Sequence, residues 1–178
     1  MPRRPARKRS LAAKAARALP LRMRPLWLVA AGLSLAAVLW LTLREDEYVT
    51  WANLTGTNVV PLRHHLAAFR CWLDDCAAAD TALQYLLVDV VGNVLLFVPL
   101  GFTFAVASTR PARWGRVAAA TLSAALLSLS IEVLQLAMPS RASDVDDVLF
   151  NTAGALVGAA LGVLVFARRS RPRLTTPG

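Results

Sequence analysis

Asp89, Asn93, Glu132, Gln135, Asp144, Asp147 and Asn151 are acids and amides set inside, or at the rim of, long apolar runs. Asp89 and Asn93 stand four residues apart, Ser128, Glu132 and Gln135 stand at i, i+4 and i+7, and Asp147 and Asn151 continue into Gly154, Gly158 and Gly162. Each set therefore falls on one face of a helix. An ionisable side chain inside a membrane span costs at least about 2.5–3.5 kcal/mol on insertion scales, so Asp89 and Glu132 require a partner or a task. Together with Arg141, these carboxyls and amides could hold a cation, an amine or a phosphate-bearing head group. If the chain catalyses a reaction, Glu132 and Asp89 are the candidates for general acid or base. The plainer reading is that the groups only satisfy one another.

The elements that must position them are four apolar runs, at residues 25–43, 86–107, 117–138 and 148–167. Each has about the 20 residues that a helix needs to cross about 30 Å of hydrocarbon. At 56% hydrophobic residues and a mean hydropathy of +0.49, 178 residues carry more apolar surface than a water-soluble domain of that size could bury. The expected fold is all-α: an integral membrane bundle of four transmembrane helices, with a short amphipathic helix in the first outer loop. One membrane domain at 25–167 lies between basic tails at 1–24 and 168–178. The Gly154, Gly158 and Gly162 stripe gives the fourth span a surface that a neighbouring helix backbone can approach closely.

The net charge of +9 reflects topology rather than nucleic-acid binding, because the cations flank the spans. Residues 1–24, 108–116 and 168–178 hold 16 of the 20 Lys and Arg residues, and the positive-inside rule assigns them to the cytoplasm. Loops 44–85 and 139–147 then face outward, with nine of the eleven acids. The basic amino-terminal segment is followed by an apolar run too long for a cleavable signal and reads as an uncleaved anchor. This orientation brings all seven polar residues to one layer in the outer half of the membrane.

The string Asn93-x2-Leu96-Phe97-Val98-Pro99-Leu100-Gly101-Phe102, then Ile131-Glu132-x2-Gln135, then Arg141-x2-Asp144-x2-Asp147-x3-Asn151-x2-Gly154-x3-Gly158, resembles the VanZ-like family of bacterial membrane proteins. The resemblance covers roughly residues 58–162. Upstream, Asn58-x2-Pro61 is similar to the family's Asn-x-x-Pro-Phe element, with Leu62 in place of the aromatic residue. The resemblance implies a multi-pass protein of the bacterial cell membrane, whose founding member supports low-level resistance to the glycopeptide teicoplanin. It supplies the domain and not the phenotype.

Leu62, Leu66, Phe69 and Leu73 recur at helical spacing after Pro61, with Arg63, His64, His65 and Arg70 off that stripe. This pattern predicts a helix that lies on the outer leaflet or caps the bundle. Cys71 and Cys76, facing an oxidising space, are expected to form a disulfide. Adjacent histidines diverge by about 100° on a helix and match no standard zinc spacing, so neither metal nor cofactor is expected. Pro99 and Gly101 predict a kink or break below the polar layer, and Ser143-x2-Asp146 reads as a variant capping box before the fourth span.

Three functional classes stay open. The first is a binding factor for a lipid-linked, lipid-head-group or glycopeptide ligand. The second is an intramembrane enzyme acting on a lipid or envelope precursor. The third is a structural or partner-binding subunit, which could be oligomeric. Membrane lipids are expected partners in all three and nucleic acid in none. Cysteine labelling of intact cells tests the orientation: an impermeant maleimide should reach a cysteine placed in 139–147 and fail to reach one placed in 108–116.

Overall fold

The computed structural model describes residues 24–44, 56–138 and 142–169. Helix α1 is Arg24–Leu43, α2 is Arg63–Leu73 and α3 is Ala79–Leu86. Helix α3 passes through a π-helical turn at Leu87–Val91 into α4, Gly92–Ala107; α5 is Arg113–Gln135 and α6 is Val145–Arg169. Four stretches are long and apolar enough to cross a membrane: Arg24–Leu43, Ala79–Ala107, Arg113–Gln135 and Val145–Phe166. The described residues contain no β-strand.

Lipid tails are as apolar as the helices, so association must come from close packing rather than from expulsion of water. The tightest pairing is α4 against α6, with α5 also packed on α6 and α1 laid along α4. A Cβ on Gly154 would run into the Val94 carbonyl, one on Gly158 into the Val98 carbonyl, and one on Gly101 into the Ala155 carbonyl. The glycine stripe of α6 is therefore the seat of α4, and Gly101 is its counterpart on α4. Val38, Phe97, Leu100, Ala124, Ile131 and Ala155 pack around this seam, and Ala105, Val117, Ala120, Ala159 and Val163 continue it. Leu33, Trp40, Leu95, Leu126, Val133 and Leu164 point outward and exposed, as lipid-facing residues do.

Both loops expected on one side of the membrane do meet at one end of the bundle. Asn58 N–H donates to the Ser143 carbonyl (2.9 Å) and Val145 N–H to the Asn58 carbonyl (3.0 Å), which forms an isolated parallel bridge between Asn58 and Asp144. The chain then turns through Leu62, at φ 60°, into α2. Helix α2 buries His64, His65 and Ala68 and exposes Leu66, Phe69 and Leu73. The amphipathic helix is present, with its histidines turned toward the protein. A disulfide joins Cys71 to Cys76, with Cα atoms 5.1 Å apart.

The structure refines three local expectations. Of the kink or break expected at Pro99 and Gly101, no break occurs: helix α4 continues through Pro99, and a π turn lies above it at Leu87–Val91. Pro99 removes one donor without stopping the helix, because packing against α6 holds the segment, whereas the π turn accommodates an extra residue in the ladder. Helical structure starts at Ala79, ahead of the expected start of the second span at Leu86, with Asp80 in its favourable first turn. Asp144, not Ser143, caps α6: its Oδ1 accepts the Asp146 N–H at 2.9 Å.

The glycine seat yields a stability test. Gly158→Ala should lower stability by about 1–3 kcal/mol through overpacking against the Val98 carbonyl. Gly92→Ala, beside which the structure is open, should stay within about 0.5 kcal/mol. Unfolding midpoints of the purified variants check both.

Candidate functional site

Asp144 is the hub of the loop end. Its Oδ1 accepts Asn58 Nδ2–H at 2.9 Å, its Oδ2 lies 3.2 Å from His64 Nδ1, and Tyr85 OH reaches that same oxygen at 3.5 Å. Its backbone N–H donates to Glu132 Oε2 at 2.8 Å, and the Ser143 side chain also hydrogen-bonds Glu132. Glu132 is thus fastened to the start of α6 from the side of α5, at only 5% exposure.

Asp146 is fully buried, at 0% exposure, and is matched by donors from the first loop. Its Oδ1 accepts the Leu62 N–H at 2.7 Å, and its Oδ2 lies 2.8 Å from His65 Nδ1. The other ring nitrogen, His65 Nε2, lies 3.0 Å from Asp89 Oδ2 on the π turn. A histidine facing carboxylates with both nitrogens is suited to be an imidazolium, the only form with two donors. Burial alone would lower its pKa, but the hydrogen bonds to Asp89 and Asp146 and the charges of both carboxylates outweigh it, and the pKa is raised above the ordinary 6.5. Tyr85 and Phe150 wall the ring, each with its centroid 4.9 Å away.

The layer ends at a more open edge. Asp89 and Asp147 face each other within hydrogen-bonding reach, and Asn93 Nδ2–H donates to Asp147 Oδ1 at 2.9 Å. Two carboxyls at that range attract a donor or a cation. Asp89, Asn93 and Asp147 are each partly exposed, with the Asp89 side chain at 20%, whereas Glu132, Asp144 and Asp146 are buried.

The residues brought together in this way are those of the motif spread over the second, third and fourth spans, and the VanZ/LLP1 family profile matches residues 29–166. The chain belongs to the VanZ/LLP1 family. No curated protein and no solved structure matches it. For this VanZ/LLP1 protein, the profile covers the last three spans, all but the first five residues of the first, and both loops that build the layer.

Asp89, Asn93, Glu132, Asp144 and Asp147 enter one connected network. Two expected members stand apart from it. Gln135 Nε2–H donates to the Thr42 carbonyl on α1 at 2.9 Å, and Asn151 Nδ2–H to Ser128 Oγ at 2.9 Å, one turn below Asp147. Both amides tie helices together, Gln135 joining α5 to α1 and Asn151 joining α6 to α5. Arg141 lies outside the described residues.

Sequence reading passed over His64, His65, Tyr85 and Asp146 as site residues. The histidines carried a signal, since they lie off the apolar stripe of an amphipathic helix and needed partners of their own. Asp146 was masked by its position beside a helix start, where an acid needs no further explanation. No local pattern marks Tyr85. Among the described residues, no group of three or more His, Cys, Asp and Glu side chains is arranged to hold a metal.

The His65 bridge gives stability a pH dependence. Because the folded pKa is raised from 6.5, the bridge contributes fully below about pH 6.5 and its contribution fades as pH rises through the folded value. Unfolding midpoints between pH 5.5 and 9 should fall more steeply for the wild type than for His65→Gln.

Proposed function

We propose that this VanZ/LLP1 membrane protein is a binding factor whose polar layer opens away from the cytosol and receives a cell-envelope ligand through a cationic group. The surplus of negative charge supports this reading. The described layer contains five carboxyls, Asp89, Glu132, Asp144, Asp146 and Asp147, against two imidazoles, His64 and His65. Its partly exposed edge is the Asp89, Asn93 and Asp147 group, where an amine would find two carboxyls and an amide oxygen. Lipid head groups and glycopeptides that carry an amino group are the ligand classes of that chemistry.

The charge asymmetry of the loops supports an outward orientation, and the Cys71–Cys76 disulfide fits an oxidising compartment. The enzymatic alternative draws less support. His65, which would be the obvious general base, has both nitrogens engaged by carboxylates, and Glu132 is occupied by the Asp144 amide and Ser143.

Thermal unfolding in nanodiscs tests the proposal, with phosphatidylethanolamine graded against phosphatidylglycerol and, separately, with teicoplanin added. A ligand at about 100 times its Kd stabilises by about 2.7 kcal/mol, and the gain should disappear in Asp147→Asn. A wild type indifferent to both series would sink the binding reading. Product formed from lipid extract and lost in Glu132→Gln would favour an enzyme.

A further inference from the structure

Helix α2 has three distinct sides. At about 100° per residue, its buried positions His64, His65 and Ala68 centre on one direction, and Leu66, Phe69 and Leu73 lie about 125° round from it, with Leu62 exposed in the turn before them. Arg63 and Arg70 follow about 80° further on, both exposed. Leu62, Leu66, Phe69 and Leu73 are 44%, 53%, 45% and 60% exposed, with Trp72 beside them at 41% and its ring 5.9 Å from that of Phe69.

The polar side of this helix is committed to the protein. His64 is engaged by Asp144, and His65 by Asp146 and Asp89, so α2 cannot roll its apolar stripe inward without breaking those pairings. The Cys71–Cys76 disulfide closes the far end of the helix on the turn into α3, whose own packing on α2 is through Ala68, Ala82 and Tyr85. The stripe is therefore held outward, at the same end of the bundle as the rims of the lipid-facing spans.

We propose that α2 is an interfacial helix seated in the head-group layer, with Leu62, Leu66, Phe69 and Leu73 among acyl chains and Arg63 and Arg70 on the phosphates of anionic lipid. Two observations select a lipid surface as the occupant. Helix α2 lies beside the π turn, where His65 meets Asp89, and Leu87, Val88 and Val91 of that turn are themselves exposed apolar residues. The two arginines adjoin the stripe rather than oppose it, as in helices that bury one face at a membrane and contact lipid phosphate along the edge. Aromatic Phe69 and Trp72 belong to the same interfacial level. This seat is independent of any ligand in the carboxyl layer.

Nitroxide side chains at Leu66→Cys, Phe69→Cys and Ala67→Cys, on the full chain in vesicles with the native disulfide intact, test the seat by collisional relaxation. Labels at 66 and 69 should collide with oxygen and be shielded from a water-soluble nickel complex, while the label at 67 should show the reverse. Replacing phosphatidylcholine by one-third phosphatidylglycerol should deepen the label at 66. Arg63→Gln with Arg70→Gln should abolish that response and weaken recruitment of anionic lipid by about fivefold per arginine. Equal exposure of 66 and 67 to the nickel complex would overturn the lipid seat. Shielding of 66 from both reagents would also overturn it, because protein would then cover the stripe. A depth unchanged by phosphatidylglycerol would overturn the role of the arginines.

Discussion

Carboxyl groups removed from bulk water must be matched by donors or cations, and that requirement organises the loop end of this protein. The bridge from Asp146 through the His65 ring to Asp89 is its centre, because it joins three elements that no continuous helix connects: α2, the π turn of the second span and the start of α6. Asp144 does the same with shorter reach, collecting Asn58, His64 and Tyr85 while its amide secures Glu132 of α5. Breaking one partner of such a set leaves a buried charge uncompensated, which costs more than the pair contributes when intact. The network therefore fixes the positions of the loops as much as it adds stability.

The network can assemble only if α4 and α6 come close, and the glycine surface permits it. Gly154 and Gly158 lie against the backbone of Val94 and Val98, about two and three turns along α6 from Asp147 and its hydrogen bond to Asn93. Side chains at those positions would push the two spans apart and separate Asp147 from Asn93 and Asp89. Packing in the membrane interior and polar pairing at its edge are thus one arrangement seen at two depths. The π turn adds to it by rotating Asp89 toward His65 above a regular α4.

Span number, the helical glycine seam and the convergence of Asp89, Asn93, Glu132, Asp144 and Asp147 were legible in the sequence, because each rests on a period or a hydrophobic length. Gln135 and Asn151 shared that period yet bond to Thr42 and Ser128, since a helix face defines a direction and not a partner. The histidines were harder to place. Their inward orientation follows from long-range pairing with Asp144, Asp146 and Asp89, between residues 24 to 81 positions apart, or in the case of His64 with Asp144 across a comparable distance in sequence. Pro99 is a related case: its missing donor is a local fact, whereas the continuity of α4 through it rests on packing against α6.

Nitrogen NMR of the His65 ring, in protein labelled at histidine and reconstituted in bilayers, examines the bridge most directly. At pH 6.5, both ring nitrogens should carry protons in the wild type, and Asp89→Asn with Asp146→Asn should convert the ring to a neutral form. A neutral, single-tautomer His65 in the wild type at that pH would contradict the account, because Asp89 and Asp146 would then lack the cation that joins them.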